Sequence, residues 1–162
     1  MVVQFNVKRI VTLLPSNVIG GGRSSSANYG KDCCQFFPCA ETNQKISLEG
    51  IYVRNVEQYE DSSSRNYIYR RFKIERKHDK KVIHQLEHYH FLSWGADANP
   101  KSDVLPDLCS VVKNCAQFVQ GAFESLQENY QLGKKNPAKL LVHCKEGTGR
   151  TGTMIALINL YI

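Results

Sequence analysis

The sequence predicts an α/β fold in which a central mixed sheet is flanked by helices. Two short apolar runs, residues 9–14 and Lys139–His143, are typical of strands buried on both faces. Between them, apolar residues recur every three or four positions over residues 105–126, which indicates an amphipathic helix. Residues 150–162 are almost wholly apolar and predict a helix in the interior of a layered domain.

Three further segments are rich in β-branched and aromatic residues and predict strands: 46–56, 67–76 and 82–92. The last two are close in sequence and predict a β-hairpin. Residues 65–81 carry eight basic and two acidic side chains, which accounts for the whole net charge of +6. The hairpin charge is expected to be solvated, with a docking surface for an acidic partner as the alternative. The remaining chain is neutral, so binding to nucleic acid is not expected.

Composition and termini indicate a cytoplasmic protein with reduced thiols. No run of about 18 apolar residues is present, so no membrane span is expected. The first residues lack a basic segment ahead of an apolar stretch, which argues against a secretory signal. Six cysteines show no repeated Cys-x-x-Cys pairing: Cys33, Cys34, Cys39, Cys109, Cys115 and Cys144.

Two other patterns, a set of histidines and a run of glycines, suggest ligand binding but have simpler explanations. His84, His88 and His90 share one face of a predicted strand, but no nearby cysteine or carboxylate completes a zinc site, so no metal is expected. Residues 20–22 are three glycines without a following Gly-Lys-Ser/Thr, which favours a flexible linker over a nucleotide-binding loop.

The residues with chemical potential lie at 143–152, between a predicted strand and a predicted helix. Backbone N–H groups at such a junction, together with the helix dipole, attract anions. Gly147 and Gly149 are expected to permit a tight turn and a close approach of an anion to the backbone. Arg150 offers a planar group that can bind two phosphate oxygens.

Cys144 lies where the dipole, the amides and Arg150 all favour the thiolate. A thiolate facing a bound phosphate monoester is a nucleophile, and its product would be a cysteinyl-phosphate that water hydrolyses. Thr151 is expected to hydrogen bond the sulfur, and His143 to orient the loop. A structural cysteine followed by a glycine turn is the simpler alternative, but it does not explain this combination of residues. A Walker A loop is excluded because no lysine precedes Thr151.

These residues match the His-Cys-x-x-Gly-x-Gly-Arg-Ser/Thr signature, and the chain resembles the protein tyrosine phosphatases. Residues 34–38 look like the family's Cys-x-x-Tyr-Trp-Pro segment, 69–72 like the following strand, and 88–94 like the strand before the Trp-Pro-Asp loop. The resemblance implies the tyrosine-specific branch, a phosphotyrosine-containing protein substrate and no cofactor. It also implies that phosphate is bound by Cys144, Lys145, Glu146, Gly147, Thr148, Gly149 and Arg150.

Two departures from the family pattern affect activity. The general-acid loop reads Trp94, Gly95, Ala96, Asp97, so alanine stands at the position of the family's catalytic aspartate and Asp97 is a displaced candidate acid. Losing a general acid costs about 10²–10⁴-fold in rate. Glu146 adds a carboxylate beside the loop, which is expected to repel phosphate and raise the pKa of Cys144, unless its side chain points outward.

The resemblance extends over residues 1–162, which are interpreted as a partial catalytic domain. The family's phosphotyrosine-loop region before it and glutamine-loop region after it are not recognised, so the apolar helix is expected to expose apolar surface. The sequence therefore predicts a slow, cysteine-dependent phosphotyrosine phosphatase. A pseudophosphatase that binds phosphotyrosyl proteins without turnover is the alternative, and a remnant without phosphate chemistry is a third hypothesis.

Overall fold

The computed structural model describes residues 1–14, 42–60, 66–94, 99–131 and 137–162. Within these ranges the chain forms an α/β fold, as the sequence predicts. In chain order the elements are β1 (Val7–Leu13), β2 (Lys45–Leu48), β3 (Ile51–Glu60), β4 (Tyr67–Arg76), β5 (Val82–Phe91), α1 (Leu105–Gln131), β6 (Lys139–His143) and α2 (Gly149–Tyr161).

The six strands form one mixed sheet in the order β2-β3-β4-β5-β1-β6. Strands β2 to β5 are antiparallel neighbours, whereas β1 pairs in parallel with both β5 and β6. Thr12 of β1 lies opposite His90 on one side and His143 on the other. The carboxyl ends of these three strands therefore meet at one edge of the sheet, and the segments that follow β5 and β6 begin there.

The prediction of a single strand over residues 46–56 is wrong. A turn at Glu49 and Gly50 divides this segment into the antiparallel strands β2 and β3, and Gly50 has a φ of +71°. This left-handed conformation is one that glycine adopts without steric cost. The hairpin predicted for 67–76 and 82–92 is confirmed as β4 and β5, which the Arg76 N–H closes through a 2.9 Å bond to the Lys81 carbonyl.

Both described helices pack on the same face of the sheet. Apolar side chains of β1 and β5 form a core with α1 and α2, including Val11, Leu13, Tyr89 and Phe91. The buried residues of α1 recur with helical spacing: Leu108, Val111, Val112, Cys115 and Ala116. The amphipathic helix is therefore confirmed, and it extends to Gln131, five residues past the predicted end.

Helix α2 is buried on only one side, so the interior helix that its composition predicts is not observed, whereas the expected exposure of apolar surface on this helix is confirmed. Thr151, Met154 and Ile158 face the core, while Ile155 and Leu160 are 44% and 85% exposed. Within the described residues, α2 contacts α1 and β6, which cover one stripe of its surface. Composition alone does not distinguish a helix covered on every side from one covered along a single stripe.

Arg9 joins the sheet to helix α1. Its guanidinium pairs with the Glu87 carboxylate on β5, with Nε at 2.9 Å, and donates at 2.5 Å to the Asn114 carbonyl on α1. The same group lies 4.6 Å from the centre of the Phe118 ring. Because the Arg9 side chain is only 12% exposed, its charge is held by a carboxylate, a carbonyl and an aromatic face at once.

The opposite face of the sheet has a smaller core and a row of buried histidines. Val53, Phe72, Ile74 and Leu86 form that core. The Nε2 atoms of His84 and His90 lie 2.7 Å and 2.8 Å from the carbonyls of Val7 and Leu14, so these side chains bind backbone oxygens. In the ranges given above, no group of three or more His, Cys, Asp or Glu could hold a metal ion. No described helix is long and apolar enough to cross a membrane.

Part of the hairpin charge is paired. Arg71 lies 2.6 Å from Glu57, and Arg76 lies 3.5 Å from Asp79. Surface pairs of this kind contribute about 0–1 kcal/mol each, so they affect the local charge more than the stability. Lys80 and Lys81 at the tip are exposed to solvent.

The second core generates a matched pair of stability variants. Phe72 is 2% exposed and Phe123 is 59% exposed, so the same change to alanine removes a buried ring at one position and an exposed ring at the other. Phe72→Ala is expected to lower the free energy of unfolding by about 3–5 kcal/mol. Phe123→Ala is expected to change it by about 0.5 kcal/mol or less. Urea unfolding followed by circular dichroism measures both, and equal losses would contradict the assignment of the second core.

Candidate active site

The residues singled out in the sequence lie at the carboxyl edge of the sheet, between β6 and α2. Strand β6 ends at His143, and Cys144 follows it with 9% of its surface exposed. The loop turns at Gly147, whose φ of +76° favours glycine. Gly149 does not have a positive φ, and a Cβ there would meet no atom within 4 Å. The expectation that both glycines are needed for the turn is therefore corrected to Gly147 alone.

The sulfur of Cys144 is surrounded by hydrogen-bond donors. Burial raises the pKa of its thiol, but the Thr151 hydroxyl and the N–H groups of Thr151, Gly147 and Glu146 lower it more, from the usual 9.0 to about 7. The Gly147 N–H lies 3.3 Å from Sγ. Donors stabilise the anion and not the neutral thiol, so a large fraction of Cys144 is thiolate at neutral pH.

Thr151 lies in the first turn of α2 and is buried. Its Oγ1 atom has no hydrogen-bond partner of standard geometry among the described residues, and yet its hydroxyl is the strongest of the groups that lower the pKa of Cys144. These two observations agree if the hydroxyl lies near the sulfur without a well-aligned bond to it, since a neutral thiol is a weak acceptor. The hydroxyl is therefore a donor that remains available beside the sulfur of Cys144.

Arg150 links the loop to the end of β5. Its Nη1 atom donates to the Trp94 carbonyl over 3.0 Å, and the Trp94 side chain is buried in the same core as Cys144. The structure thus brings together the predicted phosphate-binding arginine and the first residue of the predicted general-acid loop. Gly95, Ala96 and Asp97 lie outside the described residues, so their roles stay predictions.

The remaining loop side chains point to solvent. Lys145, Glu146 and Thr148 are exposed, and Thr148 precedes α2 without a side-chain cap. Glu146 was expected to raise the pKa of Cys144, but that pKa is lowered overall, and the N–H of Glu146 is one of the groups that lower it. An exposed carboxylate is screened by water, whereas the N–H is fixed against the sulfur.

Sequence reasoning missed two residues behind the loop. Thr12 Oγ1 lies 2.7 Å from His143 Nε2 and 2.8 Å from His88 Nε2. Thr12 is the one polar residue in the interior of the predicted apolar stretch 9–14, which begins with Arg9, and this was the available signal. Burial lowers the pKa of both histidines, so both are neutral at neutral pH.

Strand, loop and helix define an α/β protein in which a cysteine of lowered pKa and an arginine lie between the end of β6 and the first turn of α2, at the carboxyl edge of the sheet. The family model for protein-tyrosine phosphatase matches residues 1–162, and the chain belongs to this family. No curated protein matches the chain. The resemblance seen in the sequence is therefore confirmed at the level of the family.

The donors around Cys144 predict a measurable thiol pKa. We expect the rate of iodoacetamide alkylation at Cys144, followed by peptide mass spectrometry, to rise with pH around a midpoint near 7. Thr151→Val removes a hydroxyl donor and is expected to raise this midpoint by about one unit, because a hydrogen bond to a charged group contributes about 1.5–3 kcal/mol. Thr151→Ser is the control that keeps the hydroxyl. Equal midpoints for the valine and serine variants would show that the hydroxyl does not act on the sulfur.

Proposed function

We propose that this chain is a cysteine-dependent phosphatase that hydrolyses phosphotyrosine in cytoplasmic proteins, and that it is slow. The main support is the low pKa of Cys144, a buried thiol in the same loop as Arg150. Burial by itself raises the pKa of a thiol and lowers its reactivity. Cys115 is an example, since burial raises its pKa to about 11.

In the first step, loop N–H groups and Arg150 bind the phosphate oxygens. The Cys144 thiolate attacks phosphorus in line, an S–P bond forms, and the bond to the tyrosine oxygen breaks. The departing oxygen takes a proton from Asp97 or from water. In the second step, water attacks phosphorus, the S–P bond breaks, and inorganic phosphate leaves. The hydroxyl of Thr151 donates to the sulfur as its negative charge returns.

The proposed slowness follows from the general-acid position. With alanine at residue 96, the leaving tyrosine oxygen lacks the donor that the family pattern supplies. Asp97 is displaced from that position by one residue. A loss of about 10²–10⁴-fold relative to a family member with an intact acid is the expected size.

A binding function is the second candidate. The loop that would hold phosphate keeps Cys144, Gly147, Arg150 and Thr151, while the acid position does not keep its aspartate. A chain with this combination would bind phosphotyrosyl proteins and release product slowly or not at all. Here Ala96 is the observation that favours a pseudophosphatase.

Turnover of a small aryl phosphate distinguishes the two candidates. The purified chain is measured beside Ala96→Asp, with Cys144→Ser as the blank. We expect low turnover by the natural chain, well above the blank, and a gain of about 10²–10⁴-fold for Ala96→Asp, because a carboxylic acid is restored at the leaving oxygen.

The outcomes separate clearly. Turnover only by the aspartate variant would identify the natural chain as a binding protein. Turnover by the natural chain that Ala96→Asp leaves unchanged would assign the acid role to Asp97 or another group. A loss of about 10²–10⁴-fold in Asp97→Asn would then identify Asp97, and an unchanged rate would identify another group. Turnover that persists in Cys144→Ser would overturn the cysteinyl-phosphate mechanism. Binding of a phosphotyrosyl peptide that Arg150→Ala removes would support both candidates.

A further inference from the structure

A row of three polar side chains, two of them buried, runs behind the Cys144 loop across three adjacent strands. His143 ends β6, Thr12 lies in β1, and His88 lies in β5. His143 Nε2 is 2.7 Å from Thr12 Oγ1, which is 2.8 Å from His88 Nε2. Thr12 is 0% exposed and His88 is 1% exposed, so solvent does not compete for the bond between them. The mechanism above uses neither Thr12 nor His88.

The protons in this row can be assigned from its chemistry. A backbone group of Cys144 hydrogen bonds His143 and favours the charged imidazole, so that group is the carbonyl, which accepts. Nε2 of His143 already contacts Thr12, which leaves Nδ1–H as the donor to this carbonyl. Neutral His143 then accepts at Nε2 from the Thr12 hydroxyl. A hydroxyl has one proton, so His88 Nε2–H must donate to Thr12.

All three bonds therefore point the same way, from His88 through Thr12 and His143 to the Cys144 carbonyl. In a planar trans peptide the carbonyl and the following N–H point in opposite directions. Holding the Cys144 carbonyl toward His143 turns the Lys145 N–H away from it. This is the first N–H of the loop after the nucleophile.

We propose that Thr12 and His88 are positioning residues that fix the first peptide of the loop for binding phosphate. The proposal rests on the proposed function, because it concerns the same loop. Its simpler alternative is that the hydroxyl only satisfies two buried histidines. In that case its loss would lower stability and leave the loop unchanged.

The surroundings of His88 and His143 keep both imidazoles neutral, which fixes the direction of the hydrogen bonds to Thr12. His90 and Arg70 face His88 from β5 and β4, and each lowers its pKa, as His143 does from β6. Burial is the larger cause for both His88 and His143. A second proton on His143 would make its Nε2 a donor toward Thr12 and would reverse that bond, and burial disfavours this proton.

The test uses two variants of Thr12 that exchange one property each. Thr12→Val keeps the volume and loses the hydroxyl, whereas Thr12→Ser keeps the hydroxyl and loses a methyl group. Alkylation of Cys144 by iodoacetamide is measured against pH and against the concentration of inorganic phosphate, which protects a thiol that lies beneath it. Urea unfolding of each variant gives the purely structural effect.

Thr12→Val is expected to weaken phosphate protection about 5-fold, the equivalent of one neutral hydrogen bond, and to raise the alkylation midpoint. Thr12→Ser is expected to stay within about 2-fold of the natural chain, even where it unfolds more easily. Equal phosphate protection and equal midpoints in the two variants would overturn the proposal.

If Thr12→Val does not fold, His88 provides the same comparison. His88→Gln retains an amide donor toward Thr12, and His88→Leu does not, so only the leucine variant is expected to weaken protection and raise the midpoint. Equal values for these two would count against the positioning role. Phosphate that fails to protect Cys144 even in the natural chain would overturn the proposed function instead, and the alkylation midpoints would still decide whether the row positions the loop.

Discussion

The parallel pairing of β1 with both β5 and β6 is the constraint on which the rest of the structure depends. It places Thr12 beside His90 and His143, residues that are far apart in sequence, and so it brings the ends of β5 and β6 to one edge. Trp94 and Arg150 can meet only because of this arrangement. The same strand supplies Arg9, which fastens α1 over the sheet and so covers the core in which Cys144 lies.

Two opposing effects set the pKa of Cys144: burial raises it, and hydrogen-bond donors lower it. Cys144 is nine-tenths buried, so its sulfur loses hydration and its anion is disfavoured. The loop and the first turn of α2 present hydrogen-bond donors that are already fixed in position, and these favour the anion. Cys115 is buried in the same core, and its pKa is raised. The contrast between the two cysteines indicates that the donors around Cys144, and not burial, lower the pKa of its thiol.

The sequence predicts a structural feature when the residues that determine it lie close together in the chain. The residues at 143–152 are contiguous, so the sequence predicts the loop, the strand before it and the helix after it. The apolar residues of α1 recur with a clear helical period, so this helix is predicted too. The turn at Gly50 was missed because apolar and β-branched residues continue through both strands. The contacts of Thr12 depend on strand order and register, which no local pattern contains. The exposed side of α2 likewise depends on which elements lie against it.

The residues proposed to bind phosphate and the residue proposed to protonate the leaving group lie in different segments of the chain. Every group proposed to hold phosphate belongs to one short segment that runs from the end of β6 into the first turn of α2, whereas the proposed acid belongs to the segment after β5. The described link between them is the bond from Arg150 to the Trp94 carbonyl. A guanidinium has five N–H donors, so Arg150 can keep this bond and still present other donors to an anion. The proposed loss of the acid at residue 96 concerns the segment after β5, and the proposed phosphate-binding groups lie in the other segment. Impaired turnover with intact binding is therefore the combination that the proposal expects.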